Sequence, residues 1–454
     1  MKLNILHKPN ILYNCQAVFK ILVVVMSVFP LLLYGVRSVC TILLLVLGIF
    51  ISILEKQNGR ETNKLQLKYL GILLLPFLVI ILSLLNSNNL SEGMNKIIQM
   101  LSLMAFPVIF FLTRNTFDKL FIKKVFFVFT LSVVILVLYQ LWLCIVNYDY
   151  LTANLSETEL KLNNIKESLT VLDTDIIGKI KTRRLRRLLL DETDTHSTYL
   201  GMWIVFAIFC LFKAYSTIKK KILISILLLV TIILLLVWLF IIASRTSLIA
   251  LIITASITSL FYLKEKLSFK KIIFTTSLAV LLSVSCYKFI PSFNSRVNEV
   301  LQFGLNLPSN GMDIYNFNST NVRYGIYHCS INVICDNLLF GVGIGDAQKA
   351  LNNCFNNKTG SKIYTWADYN THNQFLFFTL IAGLLGLLFY VITLFCQIKT
   401  AIKNTNYLYL CFLIVIVCFS LTENILVRSD GVIFYAFFSA LFTFNSKNAI
   451  YDCN

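Results

Sequence analysis

The sequence is short of charge, and shorter still of acid. Only 14% of its 454 residues are charged, and 22 carboxylates stand against 40 lysines and arginines. Segments that alternate apolar with polar residues are missing, which excludes a β-barrel. None of the 12 cysteines forms a CxxC pair, which argues against a zinc site or a redox motif. There is no Walker lysine and no strand-to-helix dinucleotide fingerprint. No internal repeat is evident, which weakens an inverted-repeat transporter reading. No low-complexity linker divides the chain. The first apolar segment lacks a small-residue cleavage site, so no cleavable secretory signal is expected.

What the chain does have is apolar runs, many of them near the roughly 20 residues that span a bilayer. They predict an all-α polytopic membrane protein with about twelve spans, placed by hydropathy. The first six are Ala17–Leu33, Val36–Leu54, Leu67–Leu85, Ile97–Leu112, Val125–Val146 and Ser197–Phe212. The remaining six are Ile222–Ile242, Ser247–Leu263, Ile272–Ile290, Gln374–Gln397, Tyr407–Leu421 and Val432–Phe444.

The basic excess sorts by loop rather than forming a nucleic-acid surface. Lys56, Arg60, Lys64 and Lys68 follow the second span; Arg114, Lys119, Lys123 and Lys124 follow the fourth. Lys213 and Lys219–Lys221 follow the sixth, Lys264, Lys266, Lys270 and Lys271 the eighth, and Lys399 and Lys403 the tenth. Alternate loops are nearly free of lysine, as in Asn86–Asn95. The positive-inside rule then places the basic loops and both termini in the cytoplasm.

The pattern reads as one membrane domain, residues 1–454, with two large outer loops at 147–195 and 291–372. Long loops of this kind usually carry function. The first has helical patterning in Glu157–Ser168 and a cationic cluster, Lys181–Arg187, which reads either as a helix on anionic headgroups or as a glycolipid contact. The second holds Cys329, Cys335 and Cys354, which could pair once, although free buried thiols are the simpler expectation.

Three outer positions suit phosphate and proton chemistry. Ser244-Arg245-Thr246 divides two apolar runs too long for one span, so Arg245 sits at a tight hairpin, where a guanidinium needs a partner. Arg323 opens Arg323-Tyr324-Gly325-Ile326-Tyr327-His328 on an amphipathic helix that ends at Asp336; Asp336 or Asp313 would be its structural partner. His372 lies in Tyr369-Asn370-Thr371-His372-Asn373-Gln374, at the entry to a span containing Gly383 and Gly386. Between them lies Phe340-Gly341-Val342-Gly343-Ile344-Gly345-Asp346, where glycines would let backbone amides approach a ligand and a helix starting at Asp346 could hold a phosphate. Each position also has a plain structural reading: Arg245 as a hairpin cap, Arg323 as an ion-pair member, His372 as a helix cap.

The order and spacing of these motifs resemble the O-antigen ligase superfamily, which includes O-antigen polymerases and related bacterial polysaccharide glycosyltransferases. The resemblance covers Leu200 to about Phe389, and its helix count extends over most of the chain. It implies a fold similar to the GT-C glycosyltransferases and a metal-independent, inverting transfer with no cofactor. It further implies an undecaprenyl-diphosphate-linked glycan as donor and lipid A–core or another glycan as acceptor, in the bacterial inner membrane with the site on the periplasmic face. By motif, Arg245 and Arg323 would hold the diphosphate and His372 would be the general base. The chemistry agrees. Guanidiniums stabilise the charge on a departing diphosphate, and a neutral imidazole can take a hydroxyl proton near neutral pH.

His328, His196, Gly343, Glu423 and Arg428 are candidates for a supporting layer. Glu423 and Arg428 resemble the family's last outer loop and read as a structural pair beside the site. Asp346 and Asp368 are reserve bases. The 147–195 loop matches no family motif. A polymerase of the same fold is the nearest alternative, and a lipid-linked oligosaccharide flippase the more distant one. Span interiors almost free of charge favour surface chemistry over alternating access.

Overall fold

A computed structural model describes residues 8–57, 64–156, 174–217, 222–242, 244–264, 306–308 and 319–444. The expected span Ile272–Ile290, the patterned segment Glu157–Ser168 and Asp313 lie outside the described residues. Among the described residues the regular structure is helical. The first eight helices are α1 (Lys8–Ser27), α2 (Tyr34–Gln57), α3 (Lys64–Ser83), α4 (Leu90–Met100), α5 (Ser102–Leu112), α6 (Lys119–Val146), α7 (Tyr148–Thr152) and α8 (Thr174–Thr193). They are followed by α9 (Ser197–Thr217), α10 (Ile222–Ile241), α11 (Arg245–Lys264), α12 (Ser319–Asp336), α13 (Ala347–Cys354), α14 (Gln374–Lys403), α15 (Tyr407–Ser420) and α16 (Ser429–Phe444).

Among the described residues, seven helical segments are long and apolar enough to cross a membrane, and four shorter apolar helices accompany them. The chain is an all-α polytopic membrane protein. Burial follows position in the bundle. In α10 only Ile232, Leu235, Trp238 and Leu239 are buried, whereas α16 is buried from Asp430 through Phe444. Its Phe434 and Phe438 pack with Phe129 of α6, Phe206 of α9 and Phe412 of α15, at ring separations of 4.8–6.0 Å. Offset and edge-on aromatic packing suits an interior that must be filled without hydrogen-bonding groups.

The longest helix is not one rod. α14 breaks at Ala382 (φ −137°, ψ 15°) and Gly383 (φ 64°, ψ −157°). A straight helix would hold Phe375 and Tyr390 about 22 Å apart along its axis, yet their rings lie 5.3 Å apart. The arm 374–381 therefore folds back on the arm 384–403. The glycine turn at 341–345 fills the break. Val342 and Gly343 donate their amides to Leu380 O (2.9 Å) and Ile381 O (3.0 Å), and the Leu384 amide donates to Leu338 O (2.9 Å). Backbone groups freed by a break at this depth need such partners. A Cβ on Gly383 would stand 2.2 Å from Leu339 O, and its φ is left-handed, so both space and torsion demand glycine here.

This corrects the expected role of Gly343. Its amide and that of Val342 are engaged within the protein, and the Gly345 amide donates to Ser87 Oγ (3.0 Å). Asp346 accepts from the Asn88 amide, so a carboxylate, not an open helix end, stands before α13. The turn is a structural wedge rather than a phosphate cradle.

Two arginines of the basic cluster are engaged within the protein, while Arg183 and Arg187 are exposed. Arg184 is buried, lies over the Tyr150 ring and donates to the carbonyls of Tyr150 (2.7 Å) and Ala153 (3.0 Å), closing the C-terminal end of α7. Arg186 donates through Nε to Ile242 O (3.0 Å) just past α10. Helix α8 is thus bound to the protein, its cations meeting carbonyls at helix ends where the dipole is negative. Cys329 of α12 and Cys354 of α13 form a disulfide, with Cα atoms 5.6 Å apart, so the expectation of free thiols fails for this pair; Cys335 is free and exposed.

Candidate functional site

At one end of the bundle, several helix ends meet around the segment 421–428 between α15 and α16. Thr422 Oγ1 donates to Thr246 Oγ1 (3.3 Å), which brings the N-terminus of α11 against this segment. The Asn373 amide group donates to Leu421 O (3.2 Å), and Tyr199 Oη donates to Asn424 O (3.5 Å), adding the N-termini of α14 and α9. α16 begins at Ser429. Unpaired amides at helix starts carry partial positive charge, so this convergence suits an anion.

Glu423 is the centre of the cluster. One oxygen accepts from Arg323 Nη2 (2.9 Å) and the other meets His372 Nδ1 (3.0 Å). Its side chain is 16% exposed, while those of Arg323 and His372 are 40% and 25% exposed. Burial works to raise the Glu423 carboxyl, but the hydrogen bond from His372 and the charges of His372, Arg323 and His196 outweigh it and hold the group below the usual glutamate range. Glu423 is therefore a carboxylate at neutral pH. Bonded to it, Nδ1 of His372 is a donor, which leaves Nε2 as the acceptor of a neutral ring.

The backbone of His372 is strained. Its φ is 42°, in the left-handed region that a residue with a side chain seldom adopts. Such a conformation costs on the order of 1–3 kcal/mol and persists only where its surroundings over-determine it. Here they do. The His372 amide donates to Asn370 Oδ1 (2.9 Å), and Tyr327 Oη donates to His372 O (3.3 Å). Thr371 Oγ1 and the Asn373 amide both donate to Asn424 Oδ1, at 2.9 and 2.8 Å. Asn373 then caps α14 by accepting from the amides of Phe375 and Leu376. Gln374 accepts from the Leu426 amide (2.8 Å). The loop around Glu423 and the loop around His372 are thereby fixed to each other.

The sequence candidates divide. Arg323, His372 and Glu423 are in direct contact. Arg245 follows Ser244 and precedes Thr246, whose hydroxyl meets the residue before Glu423, so it stands one residue from the same junction. His196 senses Arg428, Glu423, Arg186 and His372; burial first, then the arginine charges, hold its imidazole below the usual histidine range. Arg428 and Glu423 do not pair: the two Glu423 oxygens meet Arg323 and His372, and Arg428 is exposed. Nor does Arg323 pair with Asp336. His328 meets Asn332 on its own helix (3.2 Å), and its neighbour Tyr327 is the one that touches the site. Asp368 accepts from Asn352 (3.2 Å), and Asp346 is engaged as described. Sequence reasoning gives no role to Tyr327, Asn370, Thr371 or Asn424. The signal for Tyr327 was present, four residues after Arg323 and thus on the same helix face.

No group of three or more His, Cys, Asp or Glu side chains among the described residues is arranged to hold a metal. A family model described as O-antigen ligase matches residues 230–391. That segment of the chain is similar to the O-antigen ligase family. That match includes Arg245, Arg323, the glycine turn and His372, and it ends within α14. His196, Glu423 and Arg428 lie outside it. No match was found among curated proteins. The match supports a function of the O-antigen ligase or polymerase type in general, which implies a lipid-linked glycan and an acceptor as substrates.

Proposed function

We propose that this protein is an inner-membrane glycosyltransferase of the O-antigen ligase type. It moves a glycan from undecaprenyl diphosphate to a hydroxyl of lipid A–core at the periplasmic face, without metal or cofactor. The observation that supports this reading is the double engagement of Glu423 by His372 and Arg323, an imidazole and a guanidinium on one carboxylate.

In the proposed reaction, the acceptor hydroxyl gives its proton to Nε2 of His372. Its oxygen attacks the anomeric carbon from the face opposite the diphosphate, which inverts the centre. The bond from that carbon to the diphosphate oxygen breaks, and the electron pair leaves with undecaprenyl diphosphate. Glu423 keeps Nδ1 protonated and stabilises the imidazolium that forms, a positioning role parallel to the acid of a hydrolase triad. Arg245 and the guanidinium edge of Arg323 not facing Glu423 take up the charge on the leaving group. The convergent helix starts add to that field.

Orientation is supported by the alternation of lysine-rich loops, which puts both termini in the cytoplasm, and by the Cys329–Cys354 disulfide, which suits an oxidising compartment. The test is the glycolipid profile of a clean deletion strain. Long chains accumulating on undecaprenyl diphosphate beside bare lipid A–core are expected. Lipid A–core bearing single repeat units would make the protein a polymerase instead. Full activity in a stable His372→Ala protein would remove the base assignment.

A further inference from the structure

The His372 loop is gripped from two directions. The His372 amide and carbonyl are held by Asn370 and Tyr327. The residues on either side of it are held by a side chain from the segment between α15 and α16. Asn424 Oδ1 accepts from Thr371 Oγ1 (2.9 Å) and from the Asn373 amide (2.8 Å). Thr371 Oγ1 also spans the turn to reach Asn373 O (2.9 Å). Gln374 answers in the other direction, its Oε1 accepting from the Leu426 amide (2.8 Å). Each loop thus inserts one side-chain amide into the backbone of the other.

The main chain fixes which way both amides face. A peptide N–H only donates, so the atoms that meet Asn373 N and Leu426 N are oxygens. Asn424 is 2% exposed and Gln374 is fully buried. Their nitrogens, Nδ2 and Nε2, are therefore buried, and neither has a hydrogen-bond partner among the described residues. An unpaired buried donor destabilises a fold, and an apolar side chain of similar shape would avoid it. Such a side chain could not accept from Thr371 and Asn373, which flank a residue at φ 42°. Backbone strain of that kind persists only where contacts over-determine it, and it gathers at functional sites. Unpaired donors and a strained turn coincide here, in the loop that sets the His372 ring against Glu423.

We propose that Asn424 is a positioning residue for the transfer reaction. Its oxygen fixes the left-handed turn, which keeps His372 Nδ1 on Glu423 and leaves Nε2 to the acceptor hydroxyl. This rests on the reading of His372 as the base. Asn424 acts through the ring, and its NH2 group takes no part in the reaction. Position 424 lies beyond the matched residues 230–391, so the motifs of that match do not point to it.

The test reads turnover and the imidazole separately, on the full chain in detergent with isotopically labelled histidine. Among the four histidines, the His372 signal is the one lost in His372→Gln. Wild type should show one fixed tautomer of this ring, with the proton on Nδ1. Asn424→Ala should lower kcat by up to about 100-fold, as misplacing a reacting group by roughly 1 Å does. Its donor KM should stay unchanged, and its His372 ring should average between tautomers. Thr371→Val removes one of the two donors and keeps the shape; it should act in the same direction by less, and it decides the question if Asn424→Ala does not fold. Asn424→Asp keeps the acceptor without the NH2 group, and should hold the wild-type tautomer and most of kcat. Asn424→Ala and Glu423→Gln act through one bond, so the double variant should stand within about threefold of the slower single one. A wild-type tautomer in both Asn424→Ala and Thr371→Val, or losses that multiply in the double variant, would overturn the positioning role. So would lost kcat in Asn424→Asp with its tautomer intact, which would put the NH2 group on substrate. A displaced tautomer in Asn424→Ala with full activity there and in His372→Ala would instead overturn the base reading.

Discussion

Glu423→Gln separates the roles gathered at the site. The substitution keeps the shape of the side chain, and its amide oxygen can still accept from Arg323. What it loses is the charge facing His372. As His372 takes the acceptor's proton it becomes a cation. Beside a carboxylate roughly 4 Å away, at an effective dielectric near 20, that cation gains about 4 kcal/mol. The partial exposure of Glu423, 16%, makes the higher dielectric appropriate. If the proton is about half transferred in the transition state, about 2 kcal/mol of that is felt in the barrier. The amide can also turn its NH2 toward the ring and favour the wrong tautomer. Together these predict a fall in kcat on the order of 100-fold.

Donor binding should respond in the opposite direction. Arg323 Nη2 is committed to Glu423 at 2.9 Å, and a neutral partner holds it less tightly, so KM for the lipid-linked donor should stay level or fall. The assay is steady-state transfer from a lipid-linked glycan to an acceptor, in detergent or liposomes, with products resolved by gel. A kcat within threefold of wild type (about 0.65 kcal/mol) would refute the orienting role. So would a raised donor KM with kcat unchanged, which would mean that Glu423 serves the donor alone.

Three further outcomes follow from the structure. Arg37 and Asp430 form a buried pair at 2.5 Å between α2 and α16; Arg37→Ala should cost about 3–5 kcal/mol by stranding a charge, and Arg37→Met/Asp430→Leu should restore most of the thermal stability. Gly383→Ala places a Cβ against Leu339 O in a left-handed conformation, so it should lower stability by more than about 2 kcal/mol and, by shifting the arm that carries His372, abolish transfer even at temperatures where the protein stays folded. His196 is held below the usual histidine range, so the unfolded chain binds its proton first; stability in thermal scans should fall as pH drops below about 6.5 and level off below the lowered folded value, and His196→Gln should remove that slope.

The helices were legible because each span had to be long, apolar and closed in its own hydrogen bonds, conditions that composition alone can report. The break in α14 was not. Gln374–Gln397 reads as a single span, and Gly383 alone is a weak sign, since what makes the reversal affordable is the distant turn at 338–343 that pairs with both sides of it. Cys329 and Cys354 show the same limit: pairing depends on where α12 and α13 pack, not on spacing. Arg245, Arg323 and His372 could be named from local motifs, but their partner could not. Arg428, near in sequence, seemed the natural mate for Glu423, yet at the entry of a helix five residues carry a side chain away. The partners that the carboxylate found are 51 and 100 residues distant. The consequence reaches beyond prediction. Glu423, Asn424 and Leu426, which bond to the His372 loop, lie beyond the boundary at which the ligase domain match ends. Residues 230–391 contain the proposed base, both proposed phosphate cations and the Asn370 and Tyr327 contacts to the His372 backbone, but not the carboxylate that meets its ring. On the proposed mechanism the helix pair α15–α16 completes the site, and substitutions in its connecting loop should alter how His372 is held without touching any residue of the recognised motifs.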